Sequence, residues 1–296
     1  MIVVWGSADD PPVGRVLEVL CDRDDDVAHI GGSDLEHLRF DVSLATGPRG
    51  WIEIRGRRVP LEQIDGMYLR PPQSAPGRAR AASAALSSIA ADAPFVVVNR
   101  PWAGRSNWSK PLQLRLIAEA GLAVPDTLVT SDPEAALGFL HRHDRVVYKS
   151  VSGVRSVVAT IGASSPGRLD RLRPGAGPVQ LQRWIDGTDV RVHVVGDQWF
   201  ATRVESSAID YRYAAIDGDE PEMSVMQIPD RLGAQLVALT ATMGLLLAGI
   251  DLRVTGDGAW YCFEVNPSPG FTFYEEHTGQ PIGEAIADAL TRTPSR

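Results

Sequence analysis

Apolar residues recur with two different periods along the first hundred positions. Short runs with strand character alternate with stretches of helical spacing, the clearest of which extends from Arg78 to Ala91. The segment from Trp51 to Pro60 alternates in polarity and predicts a hairpin that turns near Arg55 and Gly56. Residues 1–100 are therefore predicted to form an open α/β domain. Its predicted strands are Ile2 to Trp5, Val27 to Ile30, Met67 to Leu69 and Phe95 to Val98.

Residues 101–185 predict a small α+β module. Ser109 has the residue type of a helix N-cap, and it precedes a helix that carries Lys110 in its first turn and ends near Gly121. A second predicted helix covers Asp132 to His141. The apolar runs that predict its strands are VPDTLVT, VVYKS, VVATI and VQLQRWI.

Residues 186–296 predict a second α+β module with a long antiparallel pair, DVRVHVVG and WFATRVES. A loop rich in Asp, Glu and Pro follows, from Ser206 to Ile228, and it is longer than a simple connection needs. A long helix, a strand pair around Asp251 and Glu264, and a C-terminal helix complete the chain. The acidic tip of the loop is explained either by a solvated surface or by a lid over an active site.

The strand pair contains the most informative pattern. With Asp257 and Gly258 as a two-residue turn, opposed residues have numbers that sum to 515. Asp251 then faces Glu264, while Leu252 faces Phe263 and Val254 faces Tyr261. Asn266 shares the face of Glu264, because side chains alternate along a strand.

Two opposed carboxylates lie about 5 Å apart at their Cβ atoms, which is destabilising unless a cation lies between them. Their hard oxygen ligands suit Mg²⁺ that bridges nucleotide phosphates. Arg253 is on the same face, so an ordinary ion-pair network is the alternative explanation. The turn NPSPG favours the metal, because Asn266 leaves the strand there and can direct its amide oxygen at an ion.

The basic residues add a second clue. The chain has 29 basic residues, and only Lys110 and Lys149 among them are lysines. A retained lysine in an arginine-rich chain suggests a position that needs a compact, flexible ammonium, as phosphate binding does, although chance is the alternative. Lys149 ends an apolar strand and precedes a turn that contains Gly153, whose backbone amides can fold over phosphates.

Composition and motifs exclude several classes of function. The net charge is −8 without a basic run, which argues against nucleic acid as a partner. No segment predicts a signal peptide or a membrane span, so a cytoplasmic location without membrane attachment is expected. His193 is interpreted as a packed or solvated strand histidine, since no metal-ligand spacing surrounds it. GxSxG, HExxH and Walker A motifs are absent from the sequence.

The order AGIDLRV, CFEVNPSPGF and TGQPIGEAIADAL resembles the ATP-grasp superfamily, in particular the branch of the ribosomal-protein glutamate ligase and the graspetide, or microviridin-type, peptide ligases. The resemblance extends from about Asn99 to Ala289. It implies an ATP-grasp fold in which the two α+β modules clamp ATP behind an N-terminal α/β domain. It also implies ATP and two Mg²⁺ ions as cofactors, with Mn²⁺ as a substitute.

The resemblance further implies a role for individual residues. Asp189 would bind the ribose, and Arg203 would neutralise the transferring γ-phosphate together with Lys149. Arg155 and Arg183 depart from the usual family pattern, which concerns the phosphate loop and the adenine contact. The phosphate contacts would be Lys110, Lys149 and Gly153, the adenine strand Gln182, Arg183, Trp184 and Ile185, the metal ligands Asp251, Glu264 and Asn266, and the acceptor-substrate contacts Arg70, Arg212, Ser268 and Gly270.

Such an enzyme activates a carboxylate as an acyl phosphate and joins it to an amine, or to a hydroxyl in an ester. The substrates would be a small-molecule acid and amine or a precursor peptide, and a homodimer or homotetramer is the expected assembly. An ATP-grasp kinase that phosphorylates a hydroxyl shares every nucleotide contact and is the alternative. A nucleotide-binding module without turnover is the third hypothesis, and the full set of metal ligands argues against it.

Overall fold

The protein is represented by a computed structural model, which describes residues 1–45, 47–72, 76–150, 159–162, 178–206 and 221–292, by their backbone alone at 149–150 and 159–162. Arg155 and two predicted site residues, Gly153 and Arg212, lie outside these ranges. Four sheets are formed by the described residues. None of the helices in these ranges combines the length and apolar character needed to cross a membrane.

The N-terminal region is the open α/β domain that the apolar pattern predicts. Its central sheet is parallel, with the order β2-β1-β6-β7, and an antiparallel sheet β3-β4-β5 lies beside it. The elements are β1 (Ile2–Gly6), α1 (Pro11–Asp22), β2 (Val27–Ile30), β3 (Arg39–Ser43), β4 (Arg49–Ile54), β5 (Arg57–Pro60), β6 (Gly66–Arg70), α2 (Gly77–Ala91) and β7 (Val96–Val98).

The predicted hairpin is confirmed in β4 and β5, which turn at Arg55 and Gly56. Both residues have positive φ, 49° and 80°, as a hairpin turn that follows the right-handed twist of its strands requires. The pattern did not reveal β3, which pairs with β4 to make three strands. That strand is mostly exposed and therefore lacks the apolar run by which the other strands were found.

The first α+β module is an antiparallel sheet with two helices. Ser109 caps α3 as predicted, its hydroxyl accepting from the Leu112 amide at 3.4 Å, and Asp132 caps α4 in the same way through the Glu134 amide at 3.0 Å. The strand order is β10-β9-β11-β8. The elements are α3 (Lys110–Glu119), β8 (Thr127–Thr130), α4 (Pro133–His143), β9 (Arg145–Ser150), β10 (Ala159–Gly162) and β11 (Val179–Arg183).

The second module is a five-stranded sheet with the order β14-β13-β12-β15-β16. The prediction of a continuous loop from Ser206 to Ile228 is wrong at Glu222–Val225, which pairs with β13 as an edge strand. Its exposed position leaves it without an apolar signature, and residues 207–220 lie outside the described ranges. The elements are β12 (Thr188–Val195), β13 (Gln198–Glu205), β14 (Glu222–Val225), α5 (Asp230–Thr242), β15 (Leu247–Val254), β16 (Trp260–Asn266), α6 (Thr272–Thr278) and α7 (Ile282–Thr291).

The two ends of the chain share one core. Ile282, Ile286 and Leu290 of α7 are fully buried in the cluster that contains Val4 and Val16 of the N-terminal domain. Helix α7 is amphipathic, and its apolar face covers the parallel sheet beside α1. The C-terminal segment thereby fixes the N-terminal domain against the five-stranded sheet.

Asn99 joins these parts at the end of β7. Its Oδ1 accepts hydrogen bonds from the Leu246 and Leu247 amides at 2.8 and 3.0 Å, and its Nδ2 donates to the Leu247 and Pro267 carbonyls at 2.6 Å each. The side-chain amide thus uses two acceptor and two donor positions. One residue ties the parallel sheet to the start of β15 and to the loop after β16.

We expect Asn99→Ala to lower the free energy of unfolding by about 3 kcal/mol, because it leaves several partly buried backbone groups without partners. Chemical denaturation measures this difference. Arg115→Ala is the control, because its ion pair with Glu119 joins side chains that are 71% and 56% exposed, and the loss of such a pair costs at most about 1 kcal/mol. Equal losses in the two variants would show that Asn99 does not join the domains.

Candidate active site

The site is built on the hairpin of β15 and β16. Asp251 faces Glu264, and Gly249 faces Asn266, as predicted. The intermediate pairs were predicted wrongly, since Leu252 faces Cys262 and not Phe263, and Val254 faces Trp260 and not Tyr261.

The register differs from the prediction for two reasons, a longer turn and a bulge, whose shifts cancel at Asp251 and Glu264. The turn is longer than two residues, because the Thr255 amide donates to the Ala259 carbonyl at 2.9 Å and Gly258 adopts a positive φ of 86°. The numbers of paired residues near the turn therefore sum to 514. A bulge next to Asp251 adds one residue on β16 and restores the sum of 515 at the site. The bulge buries Cys262 against Leu252 and leaves Phe263 beside Arg253, whose Cζ is 5.6 Å from the ring centroid.

The cation beside Asp251 is Arg191. Its Nη1 donates to Asp251 Oδ1 at 2.6 Å, and the two side chains are only 4% and 18% exposed. Strand β12 lies next to β15 with these two residues in register, which brings them together. Asp189 and Arg191 alternate with valines along β12 and therefore share a face, but the sequence does not show that this strand lies beside the hairpin, so Arg191 was missed.

Arg253 does not neutralise the carboxylate pair in the way the alternative interpretation supposed. It makes two hydrogen bonds to the carboxylate of Asp189, at 2.8 and 2.9 Å, and a third to the Ile185 carbonyl at 2.7 Å. Its guanidinium also lies 4.9 Å from the ring of Trp184, which Arg145 approaches to 3.8 Å. Arg253 thereby connects three of the residues that the family resemblance assigns to the nucleotide.

The guanidinium of Arg191 lies where a side chain at position 249 would otherwise be, so this position requires a glycine. A Cβ atom on Gly249 would lie 2.0 Å from Arg191 Nη2 and 2.7 Å from Pro269. His193 is fully buried beneath the guanidinium and packs edge-on against Tyr274 at 4.8 Å. Its burial shows that, of the two predicted environments, packed or solvated, the packed one is correct. Burial, together with the charge of Arg191, holds the pKa of His193 well below its ordinary value.

The loop after β16 carries two of the predicted substrate residues, Ser268 and Gly270. Asn266 Oδ1 accepts from the Ser268 amide at 2.9 Å, which forms a local turn and leaves the second acceptor position of the same oxygen for another partner. Arg70 donates to Ser268 Oγ at 2.8 Å and to the Pro269 carbonyl at 3.1 Å. Arg70 Nε also donates a hydrogen bond to the carboxylate of Asp10 at 2.6 Å. Asp10 was not identified from the sequence. Arg70 and Ser268 thus belong to one contact region, and Gly270 follows in the same loop.

The donor set fits a magnesium ion better than a transition metal. Asp251, Glu264 and Asn266 supply two carboxylates and an amide oxygen, and Mg²⁺ takes its remaining ligands from water and phosphate. Within the described ranges, no group of three or more His, Cys, Asp or Glu side chains is arranged to hold a metal by itself. The set therefore suits an ion that arrives with a nucleotide.

Most of the other nucleotide residues lie in the elements that the sequence predicts, but Trp184 and Ile185, which the sequence predicts within the strand, follow the end of β11. Lys110 opens α3, and Lys149 lies on β9 opposite Gln180. Gln182 Nε2 donates to Thr127 Oγ1 at 3.1 Å, and Arg203 forms a surface ion pair with Glu205 at 2.5 Å. Arg183 ends β11, immediately before Trp184 and Ile185.

A comparison with protein families decides the classification. Residues 108–290 match the model of the RimK-like ATP-grasp domain. The chain belongs to that family. The match covers α3, both α+β modules and the hairpin of the candidate site, and the fold and the resemblance inferred from the sequence are thereby confirmed.

Individual relatives support this family membership. A probable alpha-L-glutamate ligase of Histophilus somni is 27% identical over 186 residues, which are 60% of either chain. The structure is similar to that of the ATP-grasp ligase PsnB complexed with minimal precursor, with 30% identity, a TM-score of 0.79 and coverage of 98% of this chain and 97% of that one. The macrocyclase MdnC of Microcystis aeruginosa, solved with its precursor peptide, shares the fold with a TM-score of 0.77 at 20% identity and covers 99% and 100%.

The packing of Arg191 generates a prediction about Gly249. We expect Gly249→Ala to lower the free energy of unfolding by about 2 kcal/mol, because the new methyl group forces Arg191 or Pro269 to move. Gly256→Ala in the same hairpin is the matched control, since its Cβ would meet nothing within 4 Å. Denaturation of both variants checks the difference, and equal stabilities would contradict the described position of Arg191.

Proposed function

We propose that this ATP-grasp protein is an ADP-forming ligase that activates a carboxylate as an acyl phosphate and transfers the acyl group to an amine, or to a hydroxyl in an ester. One observation carries the proposal: Asp251 and Glu264 oppose each other beside Asn266 within a RimK-like ATP-grasp domain. Opposed carboxylates at that position suit the Mg²⁺ of a bound nucleotide.

We further propose a peptide as the substrate. The ligase PsnB, which is 30% identical and has almost the same length, was solved with a minimal precursor, and with Mg and ADP in a related structure. The glutamate ligase of Histophilus somni is matched over only 60% of its length, so it supports the class of reaction more than the acceptor. Arg70 and Ser268, at the junction of the N-terminal domain with the site, are the described residues that we assign to this substrate.

The mechanism needs no protein nucleophile. Asp251, Glu264 and Asn266 would hold Mg²⁺, which supplies charge neutralisation to the phosphates when it is bound. Lys110, Lys149 and Arg203 would neutralise the remaining phosphate oxygens, and Asp189 with residues 182–185 would orient the nucleoside. The substrate carboxylate attacks the γ-phosphorus, ADP leaves, and the amine then displaces phosphate from the acyl carbon. The protein contributes position and charge.

The test is to incubate the protein with Mg·ATP and the minimal precursor that was used with PsnB, and in parallel with pairs of amino acids. A ligase releases ADP and free phosphate in equal amounts, while the product loses one water. A kinase releases ADP without free phosphate and its product gains a phosphoryl group. Release of neither ADP nor product with any substrate would contradict the proposal and favour a binding module.

Removal of one proposed metal ligand provides a prediction within this function. We expect Glu264→Gln to lower turnover by about a hundredfold or more, because the phosphates lose charge neutralisation in the transition state. Asp251→Asn should act likewise. Glu276→Gln makes the same chemical change on an exposed position of α6 and should leave turnover unchanged. Normal turnover of either site variant at ordinary Mg²⁺ concentration would refute the metal assignment.

A further inference from the structure

Gln113 is a buried glutamine that pairs with a strand as if it were part of the sheet. It lies on α3, is 2% exposed, and donates from Nε2 to the Val265 carbonyl at 2.8 Å while its Oε1 accepts from the Val265 amide at 3.0 Å. A longer contact of 3.4 Å links Nε2 to Ser106 Oγ. The side-chain amide thus satisfies both backbone groups of one residue of β16.

The residue that Gln113 holds lies between two proposed metal ligands. Val265 separates Glu264 from Asn266 on β16, and its own side chain is fully buried. Strand β16 is the last strand of its sheet, so the side of Val265 that faces away from β15 is satisfied by a helix and not by another strand. The backbone between the two ligands is therefore fixed on both sides.

The same helix carries Lys110 in its first turn. Lys110 and Gln113 are three residues apart, so they lie on neighbouring positions of one helix face. The contact of Gln113 with Val265 consequently sets the position of the helix that carries the lysine relative to the strand that carries the metal ligands.

We propose that Gln113 is a positioning residue that couples Lys110 to Glu264 and Asn266, so that the phosphates and their Mg²⁺ are bound as one unit. The inference rests on the proposed function, because it takes these three residues as phosphate and metal ligands. Gln113 itself contacts neither the nucleotide nor the ion.

The test measures ADP binding by calorimetry, with and without Mg²⁺, so that no turnover is needed. Wild-type protein should bind ADP more tightly when Mg²⁺ is present, and Gln113→Leu should reduce this gain about tenfold, as the loss of a group that orients metal ligands does elsewhere. Thr240→Val is the matched control. Thr240 is equally buried, but among the residues that the structure describes its hydroxyl bonds only to the Val237 carbonyl of its own helix, so its variant should keep the full gain.

Gln113→Glu separates positioning from simple packing. An ionised carboxylate would repel the Val265 carbonyl, whereas a protonated one can donate to it as the amide does. Burial should raise the pKa of this carboxyl, so that it becomes protonated as the pH falls from about 8 to about 6. The Mg²⁺-dependent gain in ADP affinity of Gln113→Glu, relative to that of wild type, should therefore rise over this range. A residue that only fills space would show no such dependence.

The outcomes distinguish this inference from the proposed function. If Gln113→Leu shows the same Mg²⁺-dependent gain in ADP affinity as wild-type protein, the positioning role is overturned. If Gln113→Leu does not fold, the role is overturned when the gain of Gln113→Glu, divided by the wild-type gain, does not change with pH. If wild-type protein shows no Mg²⁺-dependent gain, or if Glu264→Gln retains it, the proposed metal site fails instead.

Discussion

The site depends on the pairing of two like charges. Asp251 and Glu264 face each other across an antiparallel ladder, and such a pair destabilises a sheet unless cations neutralise it. The protein supplies one cation itself, the buried guanidinium of Arg191, and this choice shapes the surroundings. Gly249 lacks a side chain where the guanidinium lies, and His193 beneath it is neutral because burial and the same charge lower its pKa. A carboxylate pair with a fixed cation on one side is a suitable place for a second cation that comes and goes with a nucleotide.

Local periodicity made much of this architecture predictable. The apolar alternation located most strands, the cap Ser109 located the start of α3, and the turn signal at Gly258 located the hairpin. The carboxylate pair was predicted correctly, yet for a reason that was only partly right. The turn is longer than two residues and the bulge next to Asp251 compensates for it. The residues of β16 around the bulge, Tyr261 to Phe263, are all apolar, so their polarity does not show where the alternation breaks.

Contacts between distant elements could not be predicted in the same way. Arg191, Gln113 and Asn99 each act through a polar side chain that reaches a partner 60 to 152 positions away. Neither their types nor their spacing mark these partners, because the contacts arise only when sheets and helices pack. The same holds for α7, which was predicted as a C-terminal helix while its packing against the parallel sheet was not predicted. The edge strand β14 was missed for the opposite reason, since its exposed side chains leave no apolar pattern.

These distant contacts converge on one short segment, residues 265–269. Gln113 holds the backbone of Val265, Asn99 holds the Pro267 carbonyl, and Arg70 holds Ser268 and Pro269. Gln113 comes from α3 of the first α+β module. Asn99 follows β7, an edge strand of the parallel sheet, and Arg70 ends β6, an inner strand of the same sheet. The segment follows the proposed metal ligand Glu264 and contains a second one, Asn266, and it also contains Ser268, which is assigned to the substrate. In an acyl-transfer reaction the activated carboxylate must lie within reach of the attacking amine while water is excluded. A segment that is held from three directions and carries both groups of proposed residues would connect the two half-reactions in the proposed function, and its contacts with Asn99 and Arg70 make the N-terminal domain part of the geometry of this region.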